Sequence, residues 1–206
     1  MKVNQQTAVT ISHYESDPDG FRAGTQNHDV SQNYQALLNA ILGEGPLKIL
    51  DLGCGPGRDL VYFRDLGHIA TGLDGCESFC RMAREETGCQ VLLQNFIDLK
   101  LKDDHFDGVF ANASLFHVPK TELSQVIGKL QKSLKRQGVL FSSNPRGNSE
   151  GMNGSRYGNY MELDEYQKIV EECGFSLIHH YYRPDGIPVE QRPWLACVFR
   201  KYLESK

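Results

Sequence analysis

A chain of 206 residues with 40% hydrophobic and 23% charged side chains has the size and make-up of one α/β domain, not of a fibrous, disordered or multi-domain protein. Its formal net charge is −4, and its lysines and arginines form no stripe able to follow a phosphate backbone, so no nucleic acid is expected as a partner. No apolar run approaches the ~20 residues of a membrane span, the polar start Met1-Lys2-Val3-Asn4-Gln5-Gln6 lacks a signal-peptide core, and the six cysteines form no C-x-x-C pair; a cytoplasmic protein with no membrane attachment, disulfide scaffold or metal site is expected.

Residues 1–35 have no hydrophobic period, yet they mix aromatic and polar groups at His13-Tyr14-Glu15, Phe21-Arg22-Ala23 and His28-Asp29. Ser31 is placed to cap a helix running to about Leu42, which Gly43-Glu44-Gly45-Pro46 ends. Leu47–Leu52 reads as a strand buried on both faces, and it runs into Gly53-Cys54-Gly55-Pro56-Gly57-Arg58 and then a helix from about Gly57 to Leu66. A strand, a glycine turn and a helix N-terminus form a cradle that a ligand can approach closely. The dinucleotide fingerprint G-x-G-x-x-G requires glycine where Arg58 stands, which counts against a nicotinamide cofactor.

The stretch Asp51-Leu52-Gly53-Cys54-Gly55-Pro56-Gly57 has the spacing D-x-G-x-G-x-G and resembles the first motif of class I S-adenosylmethionine (SAM) dependent methyltransferases. The resemblance continues through Asp74 at the end of the strand Ile69–Asp74 and through Phe106-Asp107-Gly108-Val109. It reaches the turn Leu134-Lys135-Arg136-Gln137-Gly138, where Arg136 and Gln137 replace the family's Pro-Gly. It implies a Rossmann-like, doubly wound seven-stranded sheet with an antiparallel C-terminal edge hairpin, SAM as methyl donor and S-adenosylhomocysteine (SAH) as product.

By the same resemblance Asp51, Gly53, Cys54, Gly55 and Gly57 hold the donor. Arg58 either pairs with its carboxylate or is solvated on the first helical turn. Asp74 would bind the ribose hydroxyls, with Gly75 and Cys76 beside the adenosine. Asn95 stands where the family carries an aspartate, and its amide oxygen would accept from the adenine amino group; Phe96 either packs on adenine or is a core aromatic. Ala111 begins the loop where the methyl would face its acceptor, and there Asn112 and His117 are the polar residues nearest the chemistry. His117 is either a proton acceptor or a residue that only hydrogen-bonds its own loop.

Further along, helices are predicted over Glu77–Thr87, Thr121–Leu134 and Leu163–Cys173. Strands are predicted over Gln90–Gln94, Phe106–Asn112, Val139–Ser143, Phe175–Tyr182 and Trp194–Arg200. The Gly-, Asn- and Ser-rich stretch 144–162 leaves the C-terminal end of a strand, and it is expected to form a lid bringing Arg146, Tyr157 and Tyr160 to the acceptor. An N-terminal segment often folds over the cofactor in the resembled family, so residues 1–43 are expected to cover the site. Tyr14, Phe21 and His28 would then line the acceptor pocket with Arg183.

A single methyltransferase domain over 1–206 is thus expected, a monomer or homodimer of small-molecule metabolism. It would methylate a nitrogen, oxygen or sulfur of a small-molecule acceptor, and the arginines favour a carboxylate-bearing amino-acid derivative. Two alternatives stand beside it: a non-catalytic SAM-binding or partner-activating subunit, and a nicotinamide oxidoreductase.

Overall fold

The computed structural model describes residues 3–202; Met1 and Lys2 of the polar start, and residues 203–206, lie outside the described residues. Among the described residues nine strands build two sheets. The large sheet contains β1 (Lys48–Leu52), β2 (Ile69–Asp74), β3 (Gln90–Leu93), β4 (Phe106–Asn112), β5 (Leu134–Pro145), β8 (Phe175–Arg183) and β9 (Trp194–Lys201), in the order β3-β2-β1-β4-β5-β9-β8. The first five pair in parallel, and β9 lies antiparallel between β5 and β8. This is the seven-stranded Rossmann-like sheet with a reversed edge that the sequence implies. Strand order reverses between β1 and β4, the position at which doubly wound sheets open a crevice beyond their strand ends.

Alternating residues cover the two faces. On β4, Val109 and Ala111 join α6 (Lys120–Ser133) and α7 (Leu163–Glu172), while Phe110 joins α3 (Ser31–Ala40) and α4 (Arg58–Asp65). Burial on both faces is what a central parallel strand requires, and Phe110 stacked on Phe141 locks β4 to β5 at 5.0 Å between ring centroids. The helix α5 (Glu77–Thr87) packs against β2 and β3. The α3 cap differs from expectation. Ser31 is the first helical residue, and its N–H is taken by the Asp29 carboxylate at 2.9 Å.

Two segments differ more. The N-terminus forms α1 (Val3–Ser16) and α2 (Pro18–Thr25). Asp17 starts α2 by accepting from the Gly20 N–H, with Pro18 in the first helical turn where its missing N–H costs nothing. Residues 149–160 form a hairpin of β6 (Ser149–Asn153) and β7 (Arg156–Tyr160), an ordered ribbon where an irregular lid loop is expected. Gly154, at φ 61, takes the positive-φ position of its two-residue turn. The hairpin packs on α1, and the Tyr157 N–H donates to Thr10 Oγ1 at 2.9 Å.

Candidate active site

A cavity of about 560 Å³ opens at the C-terminal ends of β1, β2 and β4, under α1 and α2. The glycine turn is its floor. Gly53 has φ 79, and a Cβ there would sit 2.5 Å from Ser114 Cβ; Gly57, with φ 103, starts α4 against Ala83. Only glycine fits either place. Asp74 ties this turn to the next loop: its Oδ2 accepts from the Gly55 N–H at 3.0 Å and its Oδ1 from the Cys76 N–H at 2.9 Å. Burial pushes its pKa up, and the backbone donors oppose that rise.

Beneath the turn lies a knot of charge. Asp59 is gripped by Arg58 through Nε at 2.6 Å and Nη2 at 3.0 Å, and also accepts the Tyr34 phenol; Arg58 Nη1 donates to the Thr25 carbonyl. Arg58 is therefore neither solvated nor wholly free, since three of its five donors are used. Asp51 is 1% exposed and its Oδ2 has no hydrogen-bond partner. Burial, then repulsion from Asp59 and Asp74, raises its pKa well above the usual carboxylate range.

The opposite wall is built by the cap. Thr7, Thr10, Ile11 and Tyr14 follow i, i+3, i+4, i+7 spacing, and that face of α1 looks into the cavity. Tyr14 and Phe21 interlock with Phe79, ring centroids 5.3 Å apart for Tyr14–Phe21 and 4.9 Å for Phe21–Phe79. Tyr14 Oη lies 2.8 Å from His117 Nε2, and His117 Nδ1 lies 2.7 Å from the Tyr157 carbonyl. A carbonyl can only accept, so Nδ1 carries the hydrogen, Nε2 is the free lone pair, and the Tyr14 phenol donates to it. Burial, reinforced by the Arg156 charge, lowers the His117 pKa to about 4.

The expected residues divide between wall and interior. Gly53, Cys54, Gly55 and Arg58 line the cavity on the turn side, and Asp74, Gly75, Asn95 and Phe96 line it beyond β2 and β3. Asn112 and His117 line it at the end of β4, and Tyr14, Phe21, His28 and Arg183 complete its rim. Asp51, Gly57, Cys76 and Ala111 are buried behind this wall and do not line it. Asn95 Oδ1 caps the turn Phe96–Asp98 by accepting from the Ile97 N–H at 3.1 Å, which leaves that oxygen a second lone pair for a ligand.

The three residues assigned to a lid are occupied elsewhere. Arg146 pairs with Glu162 at 2.8 Å, donates to the Val189 and Arg192 carbonyls, and lies 4.4 Å over the Tyr182 ring. Tyr157 is buried with its hydroxyl on Glu150, and Tyr160 packs near Phe116. Arg146→Ala should therefore lower the unfolding free energy by about 1–2 kcal/mol in urea denaturation and leave the acceptor KM unchanged; a raised KM at unchanged stability would restore its acceptor role. Sequence reasoning missed the polar stripe of α1, Ser114 and Ser143. The last two could have been found from the rule that sites form at strand C-termini.

This site suits a compact cation carrying an amino acid. Carboxylates outnumber cations around the turn: Asp59 is paired with Arg58 whereas Asp74 is held by backbone N–H groups, and the unpartnered Asp51 Oδ2 and the buried, unpartnered Ser114 Oγ both adjoin the glycine turn. Among the described residues no group of three or more His, Cys, Asp or Glu is arranged to hold a metal ion, and no helix is long and apolar enough to cross a membrane.

Sheet order, reversed edge and glycine turn define a class I methyltransferase fold. Residues 50–142 match the family model described as a methyltransferase domain. An uncharacterized methyltransferase of Staphylococcus carnosus is 26% identical over 187 residues, covering 82% of this chain and 86% of that protein. Two solved structures share the fold. A Burkholderia thailandensis 1,6-didemethyltoxoflavin N1-methyltransferase, with that acceptor and SAH bound, superposes with a TM-score of 0.80 at 21% identity, over 98% of this chain and 91% of that one. A Haloferax volcanii putative methyltransferase, in complex with the Trm112 methyltransferase activator, gives 0.75 at 19% identity, over 93% and 97%. The chain has the fold of these methyltransferases, and its residues 50–142 carry the sequence match to the methyltransferase domain.

Proposed function

We propose that this enzyme moves the methyl group of SAM to a nitrogen, oxygen or sulfur of a small-molecule acceptor enclosed beneath α1 and α2. The observation that carries the reading is the Tyr14–His117 hydrogen bond in the wall of the cavity floored by the glycine turn. Gly53, Gly55 and Ser114 would hold the methionine part, Asp74 the ribose, and Gly75, Asn95 and Phe96 the adenine. When bound, SAM supplies an electrophilic methyl on a sulfonium. Displacement at that carbon asks chiefly for alignment, which a cavity walled by the glycine turn on one side and the cap on the other provides.

The Tyr14 hydroxyl donates to His117 Nε2, and its oxygen, which also faces the Arg156 guanidinium, keeps a lone pair for the cavity. An acceptor N–H or O–H can donate to it. With the methyl passed to the acceptor and SAH left behind, the acceptor's proton would pass to Tyr14 Oη and the phenol proton to His117 Nε2. The Tyr157 carbonyl keeps the ring oriented throughout. The depressed pKa keeps the ring neutral at neutral pH, with the Nε2 lone pair directed at the phenol.

Arg183, at the cavity rim, is the cation that favours a carboxylate-bearing acceptor, now that Arg146 is committed elsewhere. Calorimetry with SAM, SAH and NADH tests the donor assignment, with SAM and SAH binding and NADH not. Methyl transfer by the purified protein alone, screened over a metabolite library, tests catalysis. The second reading is a subunit that works through a partner, as the activator complex of the Haloferax relative illustrates; SAM binding with no transfer to any library member favours it.

A further inference from the structure

One strand face carries the rest of the cavity wall. Asn112 pairs in register with Ser143, Pro145 with Trp194, and Trp194 with Arg183. Residues in register, or two apart on a strand, share a face, so Asn112, Ser143, Trp194 and Arg183 all stand on the side that α3 covers. Each of the four lines the cavity.

Behind Asn112 runs a chain of directed hydrogen bonds. Tyr181 Oη donates to Asn33 Oδ1 at 2.8 Å, and Asn33 Nδ2 donates to Asn112 Oδ1 at 2.9 Å. Tyr181 lies two residues before Arg183 and is held between the sheet and α3; Asn33 is fully buried. A half-buried phenol must place its hydrogen on an acceptor, and here that acceptor is Asn33 Oδ1. The Asn33 amide can then face Asn112 only with its NH2, and Asn112 can answer only with its oxygen. The Asn112 NH2 is what remains for the cavity.

We propose that Tyr181 and Asn33 are positioning residues that lock the Asn112 amide with its N–H groups toward the acceptor, and so select acceptors that present a lone pair to this wall. The inference rests on the proposed seating of donor and acceptor in this cavity and adds the polarity of the acceptor. Tyr14 takes a hydrogen from the molecule, whereas Asn112 gives one to it. The acceptor class is a flat or compact molecule with an N–H or O–H nucleophile at one end. At the other it carries a carbonyl, carboxylate or unprotonated ring nitrogen.

The test uses protein saturated with SAH and two neutral bicyclic probes, 6-hydroxyquinoline and 5-hydroxyindole. Both carry a hydroxyl for Tyr14; the first shows Asn112 a ring lone pair and the second a ring N–H. Wild type should bind 6-hydroxyquinoline about tenfold more tightly, because the indole sets two donors against each other. Tyr181→Phe, outside the cavity, frees Asn33 to turn over and should bring the ratio to within about threefold. Asn33→Asp accepts from both neighbours, turns the Asn112 oxygen outward and should reverse the preference. A purely structural role for Tyr181 would lower stability and leave the ratio untouched, which overturns the proposal. Equal affinity of wild type for both probes, or binding of neither, overturns it as well. Failure of wild type to bind SAH would instead defeat the donor-site reading beneath it.

Discussion

Tyr14→Phe should lower the methyl-transfer rate about 100-fold or more, the scale of a lost general acid–base contact, while the SAM dissociation constant moves by no more than about threefold. Phenylalanine preserves the edge-on packing of ring 14 against Phe21 and His117 and removes only the hydroxyl that links acceptor to His117. Steady-state kinetics at saturating SAM, with calorimetry on the same variant, separates the effects. A loss confined to SAM affinity would make Tyr14 a cofactor contact and leave the acceptor without its proton path.

The same pair gives stability a pH dependence. His117 is held neutral, its pKa lowered from 6.5 to about 4 by burial. The unfolded chain therefore binds a proton between those values that the folded chain does not. The stability this ring contributes is complete above about 6.5 and is lost progressively as pH falls toward 4, by about 3 kcal/mol. Because His117 bonds to α1 through Tyr14 and to β7 through the Tyr157 carbonyl, protonation acts on the cap first.

How far the sequence reaches depends on what each residue must satisfy. The glycine turn is legible because its spacing is imposed by backbone geometry, and Gly53 and Gly57 have no room for a side chain. The sheet is legible because strands buried on both faces leave apolar runs. The helices of the cap are not, since the inward face of α1 meets a cavity: Thr7, Thr10, Ile11 and Tyr14 keep helical spacing without forming an apolar stripe. The β6–β7 ribbon is hidden by a Gly, Asn and Ser content that reads as loop, although the Gly154-Ser155 turn signals a hairpin. Arg146 misleads for another reason: its partners at 162, 189 and 192 are distant in sequence, so a committed guanidinium looks free.

Asp51→Asn should change stability and cofactor binding in opposite directions. The carboxylate is sealed under the glycine turn, Oδ2 has no partner, and Asp59 and Asp74 repel its charge while Arg58 only partly compensates. Its folded pKa is raised, so the native state binds a proton over a pH range in which the unfolded chain has already lost it. Apo stability therefore declines as pH rises from the ordinary aspartate pKa through the raised one, and it stays reduced at neutral pH. The amide cannot ionise. It should stabilise the apo protein at neutral pH by about 1–3 kcal/mol and flatten that slope in denaturation curves. For a cationic donor the comparison reverses, because the carboxylate is the nearby countercharge; SAM affinity should fall about tenfold or more, and its stabilising shift of the melting temperature should shrink. If Asp51→Asn instead destabilises the apo protein at neutral pH, the carboxylate is holding the turn together. A gain in apo stability with a loss of SAM binding is the outcome required if the fold keeps this charge for its ligand.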